Sequence, residues 1–279
     1  MARRDAGADR IQMLGLCRFS LLVDGGFQTM HDTLEARRTA LYDPARLANR
    51  FAWFEHACLP GFRAQTDGEF TLILLTGTDL PPAWMDRLHD LAASLPQAVV
   101  ETRDPGPHRD VCRAVMAAHI DPGAQVVGQF RIDDDDTVGL DYIARSREDF
   151  PLFSRLYDRH GMLASNYAKG VVATDTGTGL TYETRAETNW ACGLTLYFPQ
   201  GSAKGVMDFG HHRLAEWMPT VTQSDSVMYL RGIHANNDSR GRGLGSGPAL
   251  PAERAANVLR KRFGIDATAL EQALRAAQP

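Results

Sequence analysis

Gln125-Val-Val-Gly-Gln-Phe-Arg-Ile-Asp-Asp-Asp-Asp136 is an apolar run that ends in four consecutive aspartates. Val126 to Ile132 has the length and the β-branched and aromatic content of a buried strand, so the carboxylates stand at a strand's carboxyl end. Neighbouring charges there repel by about 1 kcal/mol per pair even in water, and by more where water is partly excluded. The run therefore implies a bound cation. A helix N-terminus after it would stabilise one or two carboxylates, but a divalent ion that prefers oxygen ligands would compensate more of them.

Upstream, short apolar runs alternate with amphipathic segments, as β-α-β units do. Ile11 to Cys17 reads as a first strand. Pro44 to Arg63 puts Leu47, Phe51, Phe54, Cys58 and Phe62 on one helical face, and Pro60 is expected to bend or end its last turn. Phe70 to Leu75 is a strand covered on both faces. Pro81-Pro82 opens a second helix, Ala98 to Glu101 is a third strand, and Pro107 to His119 is a third helix. The strand with the aspartates is the fourth, in a doubly wound sheet whose ligands sit beyond the carboxyl ends of the strands.

After Arg159 the texture changes. Val171 to Phe198 is enriched in Thr, Gly, Tyr and Val, which suggests antiparallel strands and turns. Met228 to Ile233 is one more strand, Arg240 to Pro248 is a Gly-rich linker or lid, and helices are expected around Pro251 to Phe263 and Ala267 to Ala276. The expected organisation is a disordered start over 1–10, an α/β half over 11–160 and a second half over 161–279, in one continuous domain.

Composition narrows the class without naming it. The chain has 279 residues, 44% hydrophobic and 23% charged, with a net charge of −4 that gives no argument for a nucleic-acid partner. Cys17, Cys58, Cys112 and Cys192 lie far apart, which argues against a zinc knuckle or a disulfide framework and for buried thiols. No signal-peptide core and no run near the ~20 apolar residues of a spanning helix is evident, so a cytoplasmic protein is expected.

The aspartates admit several readings. A solvated acidic turn capping the helix after Thr137 is the plainest. An EF-hand loop fails, because Gly139 is one position late and Ala144 stands where the distal Glu belongs. Asp133, Asp135 and Thr137 satisfy the Asp-x-Asp-x-Thr pattern of HAD-type aspartyl-phosphate phosphatases. Those enzymes carry it on their first strand, whereas three β-α units precede it here. A metal-diphosphate site fits the strand-end position, since substrate phosphates complete the shell of such ions.

Several segments resemble a known family. Arg63-Ala-Gln-Thr-Asp67 and the Asp-rich strand end are similar to glycosyltransferases of the A-type (GT-A) fold. Gly15-Leu-Cys-Arg-Phe-Ser20, Leu34-Glu-Ala-Arg-Arg38, Pro105-Gly-Pro-His-Arg109, Arg131-Ile-Asp-Asp-Asp-Asp136 and Ile233-His-Ala-Asn-Asn-Asp-Ser239 resemble the putative rhamnosyltransferase family over most of residues 11 to 240. The resemblance implies a GT-A-like α/β fold, an open and mostly parallel sheet with a smaller antiparallel acceptor-side region. It implies a metal-dependent transfer of a sugar, a deoxyhexose such as rhamnose, from a dTDP- or UDP-sugar to a glycan or lipid-linked acceptor, with peripheral membrane contact allowed.

Carried over by position, Arg18, Phe19 and Ser20 line the nucleotide. Asp133 and Asp135 form the Asp-x-Asp pair, and Asp134 and Asp136 permit a shifted register. Asp133 and Asp134 are then assigned to the donor, and Asp135, Asp136 and His234 to Mn²⁺ or Mg²⁺. Arg109 and Arg113, one helical turn apart, suit the diphosphate. An inverting reaction needs a carboxylate base, for which Asp225 is the first candidate and Glu187 the second. One of His211 and His212 could meet acceptor or phosphate, and Trp190 and Trp217 are candidates for sugar stacking or core packing. A phosphatase and a non-catalytic metal- or nucleotide-binding module are the alternatives.

Overall fold

The computed structural model describes residues 10–25, 33–237 and 247–278. Most of the expected disordered start and of the Gly-rich stretch lies outside these. Arg10, assigned to that start, is held: its guanidinium pairs with Asp121 at 2.6 Å and its carbonyl accepts from the Gln125 amide at 3.0 Å.

The described strands form one nine-stranded sheet. Its first part is parallel: β1 (Ile11–Arg18) lies between β2 (Phe70–Gly77) and β4 (Val126–Asp133), and β3 (Ala98–Arg103) flanks β2. The sheet grows from β1 through β2 to β3 on one side and restarts with β4 on the other. The crevice between the ends of β1 and β4 is therefore a topological switch point, the place where open α/β sheets bind ligands. Arg18 and Asp133 are register partners there.

Alternation along these strands sorts the core onto two faces. Met13 and Cys17 join Leu47, Phe51 and Phe54 below the sheet, whereas Leu14 and Leu16 join Cys112, Val115 and Met116 above it. Each fully buried phenylalanine is worth about 1.5–3 kcal/mol of transfer free energy. The lower layer comes from α1 (Leu34–Leu41), α2 (Pro44–Trp53) and α3 (Leu59–Arg63), the upper one largely from α5 (His108–Ala118), while α4 (Pro82–Ala93) links β2 to β3. The helix expected over 44–63 is interrupted. Phe54–Cys58 forms a π turn, with the Leu59 amide donating to the Phe54 carbonyl, and the helical path then runs through Pro60 to Arg63. Such a turn admits a proline that a regular helix interior would not.

The second half continues the same sheet. Beyond β4 come β8 (Leu194–Pro199), β6 (Leu163–Asp175), β9 (Thr220–Ile233) and β5 (Thr137–Val138), with β7 (Leu180–Ala186) also paired to β6. Most of these pairs are antiparallel, as expected, but β6 and β9 run parallel. The strand expected from Met228 begins at Thr220, and its register against β6 shifts around Tyr167 to Gly170. After β5 comes α6 (Tyr142–His160), and α7 (Ala252–Phe263) and α8 (Ala267–Ala276) close the chain. Leu259, Phe263, Leu270 and Leu274 of these last two pack with Trp53 and Leu230. All four cysteines are free and buried.

Candidate active site

Asp133 ends β4 and the other three aspartates form the turn that follows it, so the four carboxylates face different ways. Asp133 points to the upper face, where its carboxylate accepts from Arg18 Nη2 at 2.6 Å and stays about half exposed. Asp134 points down into the protein with no exposed surface, and Arg50 of α2 grips it with Nε at 3.0 Å from Oδ2 and with Nη2 at Oδ1. Asp135 is 2% exposed, and its Oδ2 accepts from Arg50 Nη1 at 3.0 Å, His234 Nε2 at 3.0 Å and Asn237 Nδ2 at 2.6 Å. Asp136 accepts from the Gly232 amide at 3.1 Å. Close approach of β9 makes this possible: a Cβ on Gly232 would lie 2.5 Å from the Asp135 carbonyl oxygen.

The carboxyls therefore titrate apart. Burial pushes Asp136 well above the usual carboxylate range, and the Asp135 and Asp133 charges add to it. Burial also acts against ionised Asp135 and Asp133, but Arg50 and His234 around the first, and Arg18 beside the second, outweigh it and hold both below their ordinary value. Much of the positive charge that the run demanded is thus a guanidinium. Arg50 lies on the same helical face as Leu47 and Phe54, spaced by three and four residues, and a lone arginine on an apolar face is the mark of a buried ion pair.

Above the run lies a cavity of about 320 Å³, at the small end of ligand pockets (~300–1,000 Å³). Six arginines line it (Arg18, Arg46, Arg50, Arg109, Arg131 and Arg231) against three aspartates, Asp133, Asp135 and Asp136. Arg131 shares the upper face of β4 with Asp133, and burial together with Arg18 lowers its pKa to about 10. Its Nη1 points at Met207 Sδ, 4.0 Å away. His108 accepts from Arg18 Nη1 at 3.2 Å, and burial plus the surrounding arginines hold it neutral, down at about 4. His211 donates Nδ1–H to the Asn189 carbonyl at 2.6 Å, which leaves Nε2 as an acceptor; burial and Arg131 bring it also to about 4.

The structure brings together Arg18, Ser20, Arg109, Asp133, Asp135, Asp136 and His211 as lining residues. Ser20 adopts φ 44°, a left-handed conformation unusual for a non-glycine residue, and its hydroxyl accepts from Arg46 Nη1 at 3.1 Å. Other expected residues are placed elsewhere. Phe19 is fully buried with its ring 4.6 Å from Phe51, because its side chain alternates to the lower face, so it is core and no nucleotide contact. Asp134 is likewise sealed below the sheet and cannot reach a donor. Arg113 turns away to Asp208 at 2.5 Å. Asp225 sits in the irregular stretch of β9, 60% exposed and paired with Arg145 at 2.8 Å, and neither it nor Glu187 lines the cavity. Trp190 lies under the Arg231 guanidinium, 4.7 Å from its centroid, whereas Trp217 is 55% exposed beside Phe209. Arg46, Arg50, Arg231 and Asn237 were not anticipated; Asn237 stands inside the His234 motif, where its amide was the available signal.

A divalent ion on Asp135, Asp136 and His234 does not fit this arrangement. Asp135 Oδ2 already receives three donors. His234 Nε2 is already engaged, 3.0 Å from Asp135 Oδ2 and 3.2 Å from Arg50 Nη1, so a guanidinium stands where an ion shared by the two side chains would sit. An oxygen of Asp136 is taken by the Gly232 amide at 3.1 Å. Among the described residues no three His, Cys, Asp or Glu side chains are grouped to hold a metal ion.

A family model described as "Putative rhamnosyl transferase" matches residues 12–245. No curated protein matches. Similar solved structures include TarS 1–349 of S. aureus in complex with UDP, with 11% identity over 80% of this chain and 60% of that one and a TM-score of 0.40. The same fragment with UDP-GlcNAc gives 10% identity, 94% and 70% coverage and a TM-score of 0.39. A putative glucose-1-phosphate thymidylyltransferase from Bacillus anthracis gives 11% identity, 78% and 89% coverage and a TM-score of 0.39. The chain spans about 60% of the UDP-bound TarS fragment. No helix among the described residues is long and apolar enough to cross a membrane.

Proposed function

The chain belongs to the putative rhamnosyl transferase family, and from that premise we propose that it is a glycosyltransferase that moves a sugar, a deoxyhexose such as rhamnose, from a dTDP- or UDP-sugar to a glycan or lipid-linked acceptor. One observation carries this reading: an arginine-lined cavity with half-exposed Asp133 at the switch point between β1 and β4. A nucleoside diphosphate presents hydroxyls for an acceptor such as Asp133 and oxyanions for guanidinium forks.

Within that cavity, Arg18 and Asp133 hold the ribose end of the donor, Arg109 and Arg131 face its diphosphate, and His211 faces the acceptor. In an inverting displacement the bond from the anomeric carbon to the β-phosphate oxygen breaks, and its electron pair stays on that oxygen. The acceptor hydroxyl oxygen forms the new bond to the anomeric carbon and passes its proton to His211 Nε2. A diphosphate beside Arg131 offsets the charge that now depresses His211, so donor binding raises the basicity of this imidazole. His211 takes the place first assigned to Asp225 and Glu187 because it lines the cavity and they do not. The four buried free thiols favour a reducing compartment, and a cytoplasmic setting is part of the proposal.

Incubation with a panel of dTDP- and UDP-sugars tests it, with nucleoside diphosphate release as the readout. Slow hydrolysis of at least one donor without acceptor, lost in Asp133→Asn, is expected. Inorganic phosphate released from simple monoesters, with every sugar nucleotide left intact, would instead favour the phosphatase.

A further inference from the structure

The leaving group of a sugar nucleotide departs as a diphosphate whose growing charge must be met where it forms. This inference rests on the glycosyltransferase reading. Among the described residues, neither Arg109 nor Arg131 has a carboxylate partner. Arg109 stands in the first turn of α5 and Arg131 on the upper face of β4, and both line the cavity. Arg131 is mostly enclosed, with the Asp133 charge favouring it and Arg18 opposing it, whereas Arg109 is exposed at the cavity's edge; a bound anion offsets the cost of enclosing Arg131 and is open to Arg109. The oxygens and nitrogens that a divalent ion would need are differently situated: Asp135 Oδ2 and His234 Nε2 lie against each other, and Arg50 and Asn237 also donate to that same oxygen. An ion bridging Asp135 Oδ2 and His234 Nε2 would have to displace the Arg50 guanidinium, which touches both.

We propose that the donor diphosphate is bound and its leaving charge neutralised by guanidinium groups, Arg131 and Arg109 foremost, without a divalent metal ion. Asp133 then serves as the counter-charge that positions Arg18, and Asp134 and Asp135 as the one that positions Arg50, while the substrate meets Arg131 and Arg109. Phosphate contacts of this kind weaken as salt rises, because the attraction is screened.

Calorimetric titration with UDP and with dTDP, in EDTA and then in millimolar Mn²⁺ or Mg²⁺, decides the matter without relying on turnover. The expected result is binding in EDTA with a dissociation constant within threefold of that in metal. Arg131→Gln and Arg109→Gln should each weaken it tenfold or more, and Arg131→Lys should restore part of the loss with an unchanged circular dichroism spectrum. Binding that appears only with Mn²⁺ or Mg²⁺, or that tightens tenfold or more with either, overturns the metal-free clamp and leaves the transferase reading in place. Arginine variants that bind as tightly as the parent also overturn it. Absence of binding by both nucleotides in every condition overturns the transferase reading itself.

Discussion

Arg50 and Asp134 are both buried, and Arg50, which also holds Asp135, is the cation that pairs the Asp134 carboxylate. Removing one partner of such a pair leaves an uncompensated charge, at a cost of about 3–5 kcal/mol. Arg50→Met should therefore lower stability by that amount in urea denaturation. Adding Asp134→Asn should recover part of it, since the second change removes the stranded charge. The histidines above the sheet set a pH dependence of a different kind. His108 and His211 refuse a proton until about pH 4, whereas the unfolded chain takes one near 6.5. The unfolded state binds more protons between those values, so stability is full above about pH 6.5 and falls as pH drops toward 4. The slope is at most about 1.4 kcal/mol per pH unit for each histidine. Thermal melts from pH 7 to 4.5 should show this decline, and His108→Gln should flatten it; an unchanged slope would mean that His108 is not held neutral.

At the scale of elements, the π turn before α3 does more than admit Pro60. The Cys58 carbonyl accepts from Thr137 Oγ1 at 3.0 Å, which ties the turn to the residue that follows the aspartates. Gly61 lets the two approach: a Cβ there would strike the Thr137 hydroxyl and lie 2.9 Å from the Val138 carbonyl oxygen. Gly61→Ala should cost about 1–3 kcal/mol, as overpacking does, and should weaken nucleotide binding by displacing the aspartate turn. A variant with parental stability and affinity would show that this contact does not position the site. The helix–strand order of the first half was legible because both faces of β1, β2 and β4 are covered, and covered strands write themselves as apolar runs. β9 was legible only from Met228, because its first residues, Thr220 to Ser226, are polar and largely open, and pairing with β6 decides their conformation. The break at Phe54–Cys58 left no periodic trace, since a π turn shifts the helical phase without changing the residue types.

Across the whole molecule, one sheet carries both the predicted nucleotide half and the predicted acceptor half, and the site stands where they meet. The Asp run and His234 were legible as a site because charge at a strand end is conspicuous in sequence. The identity of the compensating cation was not, because Arg50 lies 84 residues from Asp134 along the chain and only the packing of α2 under β4 joins them. Arg109 was visible at a helix start, whereas Arg46 and Arg231 were hidden among ordinary surface charges. The same topology makes the central claim testable by location. Hydrogen–deuterium exchange with and without saturating UDP or dTDP reports where the nucleotide sits. The account predicts added protection at the carboxyl ends of β1 and β4 and at the start of α5, over 18–24, 106–112 and 131–138, with the far ends of those strands unchanged. Protection confined to other segments, or none at saturating nucleotide, would contradict it.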